Sequence, residues 1–153
     1  MITAWRITKA RHAGHAFDGE GARLAGGRWT SPGLRVVYTA ENAALAALEV
    51  LVHLDVAARP AYALVPCTFP RDLVLRLDRL RLPADWRTYP APAALSQLGD
   101  PWIKSAASAV LDVPSVVIDM QSNFLLNPAH PDFSRIRTGP PVAFDFDSRL
   151  LKK

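Results

Sequence analysis

Gly26-Gly27-Arg28-Trp29-Thr30-Ser31-Pro32-Gly33 runs into Leu34-Arg35-Val36-Val37-Tyr38-Thr39-Ala40, and then into Glu41-Asn42-Ala43-Ala44-Leu45-Ala46-Ala47-Leu48-Glu49-Val50-Leu51-Val52-His53. Three textures follow one another here. The glycines and proline of the first part break regular structure and predict a loop. Arg35–Thr39 is β-branched and aromatic, which predicts a strand. The Ala- and Leu-rich run from Glu41 to His53 predicts a helix, with Thr39 or the polar Glu41-Asn42 pair near its start.

Outward from this stretch, the order of elements decides the fold class. Upstream, Gly14 to Gly33 holds six of the eight glycines and reads largely as loop, preceded by a short strand at Trp5-Arg6-Ile7. Downstream, strands are predicted at Tyr62–Phe69, closed by Pro70, and at Leu73–Leu77. A short helix is expected to open at Pro83–Arg87, and Ala94–Ala109 reads as helical with Gly99-Asp100-Pro101 interrupting it. Ser115–Asp119 reads as a buried strand after Pro114 and Val142–Phe146 as the last one. Asn123–His130, with Pro128, ends in a turn. Strands outnumber helices without regular alternation, so the expected class is α+β: a single domain over residues 1–153, with mixed, mostly antiparallel sheet and a few helices.

Composition narrows the function classes. The chain has 153 residues, half of them hydrophobic, enough for one domain with a core. No run of 18 apolar residues suits a membrane span. The first residues, to Arg11, alternate charged and apolar and lack the apolar segment of a signal peptide. A single cysteine, Cys67, excludes an internal disulfide framework and a cysteine zinc site, so a cytoplasmic protein is expected. The net charge of +4 favours anionic partners. The basic residues are scattered rather than in a block, and none alternates with aromatics on a helix, which weakens the reading as a nucleic-acid-binding module. His12 and His15 lie close together without the acids or cysteines that would complete a metal site.

The helix carries the most pointed residue. Around Glu49, the positions three and four away are Leu45, Ala46, Val52 and His53, so the carboxylate does not face bulk water. Unpaired burial costs several kcal/mol on typical scales, so a partner is required: an arginine, for instance Arg28 or Arg35 in a structural ion pair, a histidine, or a ligand. Arg28, behind two glycines, suits bidentate contact with a phosphate, or is a surface arginine after a turn. Tyr38, on the strand that feeds the helix, offers a ring to stack on a flat base, or is a core aromatic.

Taken together, Gly26-Gly27-Arg28-Trp29, Gly33, Val36-Val37-Tyr38-Thr39, Leu45-Ala46-Ala47-Leu48-Glu49 and Val52-His53 resemble the signature of the RES domain. The resemblance extends upstream through Gly19-Glu20-Gly21-Ala22. Downstream it takes in Trp102, Val113-Pro114-Ser115, Asn123-Phe124-Leu125-Leu126-Asn127-Pro128, His130-Pro131, Phe144-Asp145-Phe146-Asp147 and Arg149-Leu150.

That resemblance implies the toxin half of a bacterial type II toxin–antitoxin pair, with a fold similar to ADP-ribosyltransferase toxins. It places Glu49, Arg28 and Tyr38 as catalytic residues, and Arg28, Tyr38, Ser115 and Asn127 around bound NAD+. NAD+ would be a substrate cleaved at its nicotinamide–ribose bond, with no metal and no prosthetic group. The implied partner is a helix-turn-helix, Xre-like antitoxin that itself binds DNA, within a complex in which the toxin is a possible homodimer. The competing reaction is transfer of ADP-ribose to a protein; a non-catalytic nucleic-acid module and a degenerate domain that only holds its antitoxin stand as further alternatives. His53 and His130 are candidates for contact with the site.

Overall fold

Tyr62–Phe69 alternates buried and half-buried residues along its whole length, with Ala63, Val65, Cys67 and Phe69 inside. It is strand β3 in a computed structural model that describes residues 1–152 apart from 56 and 59. It pairs antiparallel with β1 (Ile2–Lys9), from Ile2 opposite Phe69 to Lys9 opposite Tyr62. The predicted Trp5–Ile7 strand is thus the middle of a longer one.

The remaining strands are β2 (Val37–Ala40), β4 (Val74–Arg76), β5 (Val110–Pro114), β6 (Ser122–Leu126), β7 (Arg137–Thr138) and β8 (Val142–Phe144). They form one sheet in the order β4-β5-β6-β2-β1-β3-β7, with β8 also pairing β3. The β4–β5 pair is parallel; the other pairs are antiparallel. With helices α1 (Glu20–Ala25), α2 (Ala43–Leu51) and α3 (Ala93–Ser105), this is the expected α+β class.

Three local expectations are corrected and one is refined. Gly14–Gly33 is largely loop, but it also contains α1, bounded by Gly19 (φ +76°) and Gly26 (φ +69°). Those glycines supply the left-handed ends a short helix needs. The strand expected at Ser115–Asp119 lies instead at Val110–Pro114, every residue of which is buried. Pro114 closes that strand rather than preceding one. The Gly99-Asp100-Pro101 interruption of α3 does not occur, and the helix continues through Pro101. Its inner face of Leu95, Gly99 and Trp102 packs into the core, and tertiary packing outweighs the lost backbone bond. Pro83–Arg87 forms turns, Trp86 N–H to Pro83 O and Thr88 N–H to Asp85 O, and not a helix.

Two larger clusters fill the core. One gathers Val37, Cys67, Phe69, Val110, Phe124 and Leu126; the other joins Trp29, Val36, Leu95, Trp102, Leu111 and Leu125 under α3. Burial pushes the Cys67 thiol up to about 12, so it acts as a packed apolar residue and not as a nucleophile. A smaller cluster of Ile7, Ala40, Leu45 and Ala46 seats α2 on β1 and β2, and this contact aims Glu49.

Candidate active site

Helix α2 starts where Asn42 caps it, its side-chain oxygen accepting from the Leu45 N–H at 2.7 Å. Leu45 and Ala46 turn inward, and Glu49 follows one turn later at the floor of a cleft of about 330 Å3. No cation meets it among the described residues. Ser115 Oγ donates to Glu49 Oε1 at 2.8 Å, and Asn123 Nδ2 donates to Oε2 at 2.9 Å. The ion pair weighed for Glu49 is therefore replaced by two neutral donors. Arg35 instead joins Glu20, at 3.1 Å.

Both donors are themselves fixed. Ser115, fully buried just beyond β5, accepts from the Val117 and Ile118 N–H groups, which leaves its single hydroxyl proton for Glu49. Asn123 sits on β6 opposite Ala40, and its Nδ2 also donates to Thr39 O at 3.1 Å. Burial raises the Glu49 pKa above the ordinary carboxyl range, and the bonds from Ser115 and Asn123 oppose that shift.

Tyr38 projects from β2 into the cleft wall. Its hydroxyl meets Thr30 Oγ1 at 2.8 Å and accepts from the Trp29 N–H at 3.3 Å; burial raises its pKa, so it stays protonated. This contact explains one glycine of the signature. A Cβ on Gly27 would lie 2.6 Å from Tyr38 Cζ, so the missing side chain makes room for the ring.

Arg28 follows directly and lines the same cleft. Its Nη1 donates to Trp86 O at 3.0 Å and Thr88 O at 2.9 Å, tying the 83–90 turns to the cleft rim. Nε and Nη2 meet no acceptor among the described residues.

Arg28, Tyr38 and Glu49 thus line one cleft, and Ser115 stands behind Glu49. Asn127 does not reach the cleft: it is fully buried elsewhere, its Oδ1 accepting from the Ala129 N–H at 3.0 Å in the turn toward His130. His53 lines the cleft beside Glu49. His130 does not; its Nδ1 accepts from the Asp132 N–H at 3.0 Å. His12 and His15 bond to each other on the surface at 3.2 Å.

Two cleft residues escaped the sequence reading. Arg6, on β1, reaches Tyr38 O with Nη1 at 3.0 Å, close to the one recorded β1–β2 pair, Trp5 with Ala40. Its Nε is buried with no hydrogen-bond partner among the described residues. Burial lowers its pKa, with Asp18 opposing from a distance. A charged residue between Trp5 and Ile7 reads in sequence as the solvent side of a strand. Asn123 is visible in sequence as part of a motif, but its segment is read only as ending in a turn, with no strand assigned, whereas it lies on β6.

The cleft therefore sets one half-buried carboxylate, held by neutral donors, beside two guanidinium groups and one aromatic ring. That arrangement suits a ligand with a negative phosphate region and a centre that becomes positive during reaction.

Comparison with known proteins agrees with this picture. A family model described as the RES domain matches residues 3–147. A "Toxin Res" from Photorhabdus laumondii subsp. laumondii is 37% identical over 151 residues, covering 97% of this chain and 96% of that protein. A "Prs ADP-ribosylating toxin" from Sphingobium sp. (strain YBL2) is 35% identical over 155 residues, with 97% and 96% covered. Among solved structures, a chain from the M. tuberculosis MbcT–MbcA toxin–antitoxin complex superposes with a TM-score of 0.76 at 22% identity. That alignment covers 94% of this chain and 84% of the other, and it supports the fold.

Proposed function

The chain belongs to the RES domain family, and from that premise we propose that it is a toxin that cleaves the nicotinamide–ribose bond of NAD+. The observation that carries this reading is the state of Glu49: a half-buried carboxylate lining the cleft, with both oxygens hydrogen-bonded and no cation against it among the described residues. A structural carboxylate that is partly withdrawn from water is commonly paired with a cation. One held by neutral donors keeps its negative charge available for a bound reactant.

In this mechanism the Glu49 carboxylate lies beside C1 of the nicotinamide ribose and stabilises the oxocarbenium character that develops as the bond breaks. Nicotinamide departs as a neutral molecule with the bonding electron pair, so no acid is needed on the leaving group. Arg28 holds the pyrophosphate through Nε and Nη2, which meet no acceptor among the described residues, and Arg6 adds a second positive charge along the cleft. Tyr38 orients the ring end of the ligand. Ser115 and Asn123 act through Glu49, fixing the direction of its oxygens.

Relatives named as toxins, one of them as an ADP-ribosylating toxin, and a structural neighbour in a toxin–antitoxin complex support this reading and an antitoxin partner. Val52, which lines the cleft, and Tyr89, whose ring centroid lies 5.6 Å from that of His53 at a tilted angle, are exposed apolar surface of the kind such a partner would cover.

Inducing the chain in bacteria, beside Glu49→Gln and Arg28→Ala, tests the reading. Growth arrest with a falling NAD+ pool is expected for the parent, and near-normal growth for both variants. Equal toxicity of Glu49→Gln would overturn the role of Glu49. Arrest with an unchanged NAD+ pool would overturn bulk NAD+ consumption.

A further inference from the structure

Residues 83–90 form a strap fastened to the cleft at two places. Arg28, in the cleft lining, donates to the carbonyls of Trp86 and Thr88. Arg87, on the strap itself, donates from Nε to Val116 O at 3.0 Å, and Val116 also lines the cleft. Trp86 turns inward onto the core cluster under α3. Tyr89 does the opposite: it is 78% exposed, although Arg28 holds the backbone of the residue before it. Its ring stands against that of His53, a cleft residue just past the end of α2. Burial lowers the Arg28 pKa and the Tyr89 phenol opposes that shift, so the two side chains lie within electrostatic reach.

We propose that Tyr89 is the platform for the adenine base of the dinucleotide, and that it makes the cleft prefer a dinucleotide to a nicotinamide mononucleotide. This rests on NAD+ as the substrate cleaved at Glu49. A dinucleotide carries one nucleoside on each side of its pyrophosphate. With the nicotinamide ribose against Glu49 and the pyrophosphate on Arg28, the second nucleoside leaves the cleft past Arg28. The strap meets it there, because one carbonyl that holds Arg28 belongs to Thr88 and the next side chain is Tyr89.

Adenine is flat and uncharged, and an aromatic ring receives such a base by stacking. The Tyr89 and His53 rings are already in aromatic contact, with centroids 5.6 Å apart and planes at 50°. No base fits between them, and the exposed face of Tyr89 is the surface left to stack on. The strap's two anchors matter as much. A ring whose main chain is pinned by Arg28 and Arg87 loses little freedom when a base settles on it. Of the other rings in the cleft lining, Tyr38 is fixed in the inner wall by Thr30 and Trp29 is buried.

The test measures nicotinamide release from NAD+ by the purified full-length chain, with nicotinamide mononucleotide and ADP-ribose as competing ligands. Inhibition constants for both are obtained whether or not the mononucleotide is itself cleaved. Tyr89→Ala is expected to raise KM for NAD+ and the inhibition constant of ADP-ribose by about tenfold, toward the lower end for stacking one base. The inhibition constant of the mononucleotide, which has no adenine, is expected to stay within about twofold of the parent's, as is kcat for NAD+. Tyr89→Phe keeps the ring and is expected to match the parent. An unchanged KM for NAD+ in Tyr89→Ala would overturn the assignment. So would a parallel rise for NAD+ and the mononucleotide, because the ring would then serve the nicotinamide half or the shape of the cleft. Absence of nicotinamide release by the parent would overturn the cleavage reading itself; calorimetric binding of ADP-ribose to the parent and to Tyr89→Ala then decides the platform alone.

Discussion

At Glu49 two opposing effects set the charge on one side chain. Burial raises its pKa, and the donors Ser115 and Asn123 lower it. Cleavage needs the ionised form, so activity should fall on the acid side at a pH above the ordinary carboxyl range. Removing a donor leaves burial less opposed and moves that limb to higher pH. Asn123→Ala is expected to shift the acid limb upward and to lower kcat by about tenfold, the worth of one charge-assisted bond. Asn123→Asp, which sets a second carboxylate against Glu49, should shift it further, because two adjacent negative charges resist forming together. An acid limb that stays in place in both variants, read from a pH profile of nicotinamide release, would remove Asn123 from the mechanism. The linkage to stability has the same direction: with a raised folded pKa, Glu49 contributes stability that is lost as pH rises through that pKa. The sequence showed that Glu49 needs a partner, because its helix neighbours are apolar. It could not show that the partner is neutral, since Ser115 and Asn123 are brought to Glu49 by strand register and not by spacing along the chain.

Among the elements, α3 bears on the site through a single close approach. Gly99 faces the backbone of the loop that carries Arg28, and a Cβ there would run into the Trp29 carbonyl, lying 2.9 Å from its carbon. The neighbouring contacts are equally fixed: Asp100 accepts from the Ser31 N–H at 2.8 Å and from its hydroxyl at 2.5 Å. Backbone cannot yield as a flexible side chain can, so Gly99→Ala should cost upwards of about 3 kcal/mol, at the high end for overpacking. It should also lower activity by displacing the Arg28 loop. A thermal melt beside an NAD+ cleavage assay checks this, and a melting temperature within a degree of the parent would show that α3 does not brace the loop. In the sequence, Gly99-Asp100-Pro101 reads as punctuation because glycine and proline usually break helices. Here the glycine is a packing requirement, the aspartate is a tether and the proline is carried by the buried Leu95 and Trp102. The strand at Val110–Pro114 was displaced to Ser115–Asp119 for a related reason. Two apolar runs flank Pro114, and only pairing with β6 shows which of them enters the sheet.

For the whole molecule, the question is where its excess positive charge acts. The net charge is +4, yet much of the arginine surface is locally balanced. Arg23 and Arg35 share Glu20, while Arg76, Arg87, Arg135 and Arg149 each face an aspartate. Arg6 and Arg28 form no ion pair among the described residues, a state they share with Arg11, Arg71, Arg79, Arg81 and Arg137, but these two line the cleft. The sheet order β5-β6-β2-β1 brings Ser115, Asn123, Tyr38 and Arg6 toward α2 from separate parts of the chain. For that reason the contiguous 26–53 stretch was readable in sequence, and the contributions of Arg6 and Asn123 were not. A field concentrated in a cleft attracts a small dianionic pyrophosphate, whereas duplex DNA requires cations spread along a face. The isolated chain is therefore expected not to retard a random-sequence 30-base-pair duplex at about 10 μM protein and 150 mM salt, near the middle of the usual non-specific affinity range. Its kcat/KM for NAD+ should meanwhile decline only modestly as salt is raised from 50 to 200 mM, because a small dinucleotide in a cleft has no condensed counterions to release and is affected only by ordinary screening. Micromolar duplex binding that weakens about a thousandfold over that interval would mean six or more phosphate contacts on a surface. Such a result would move the positive charge's role from the cleft to nucleic acid.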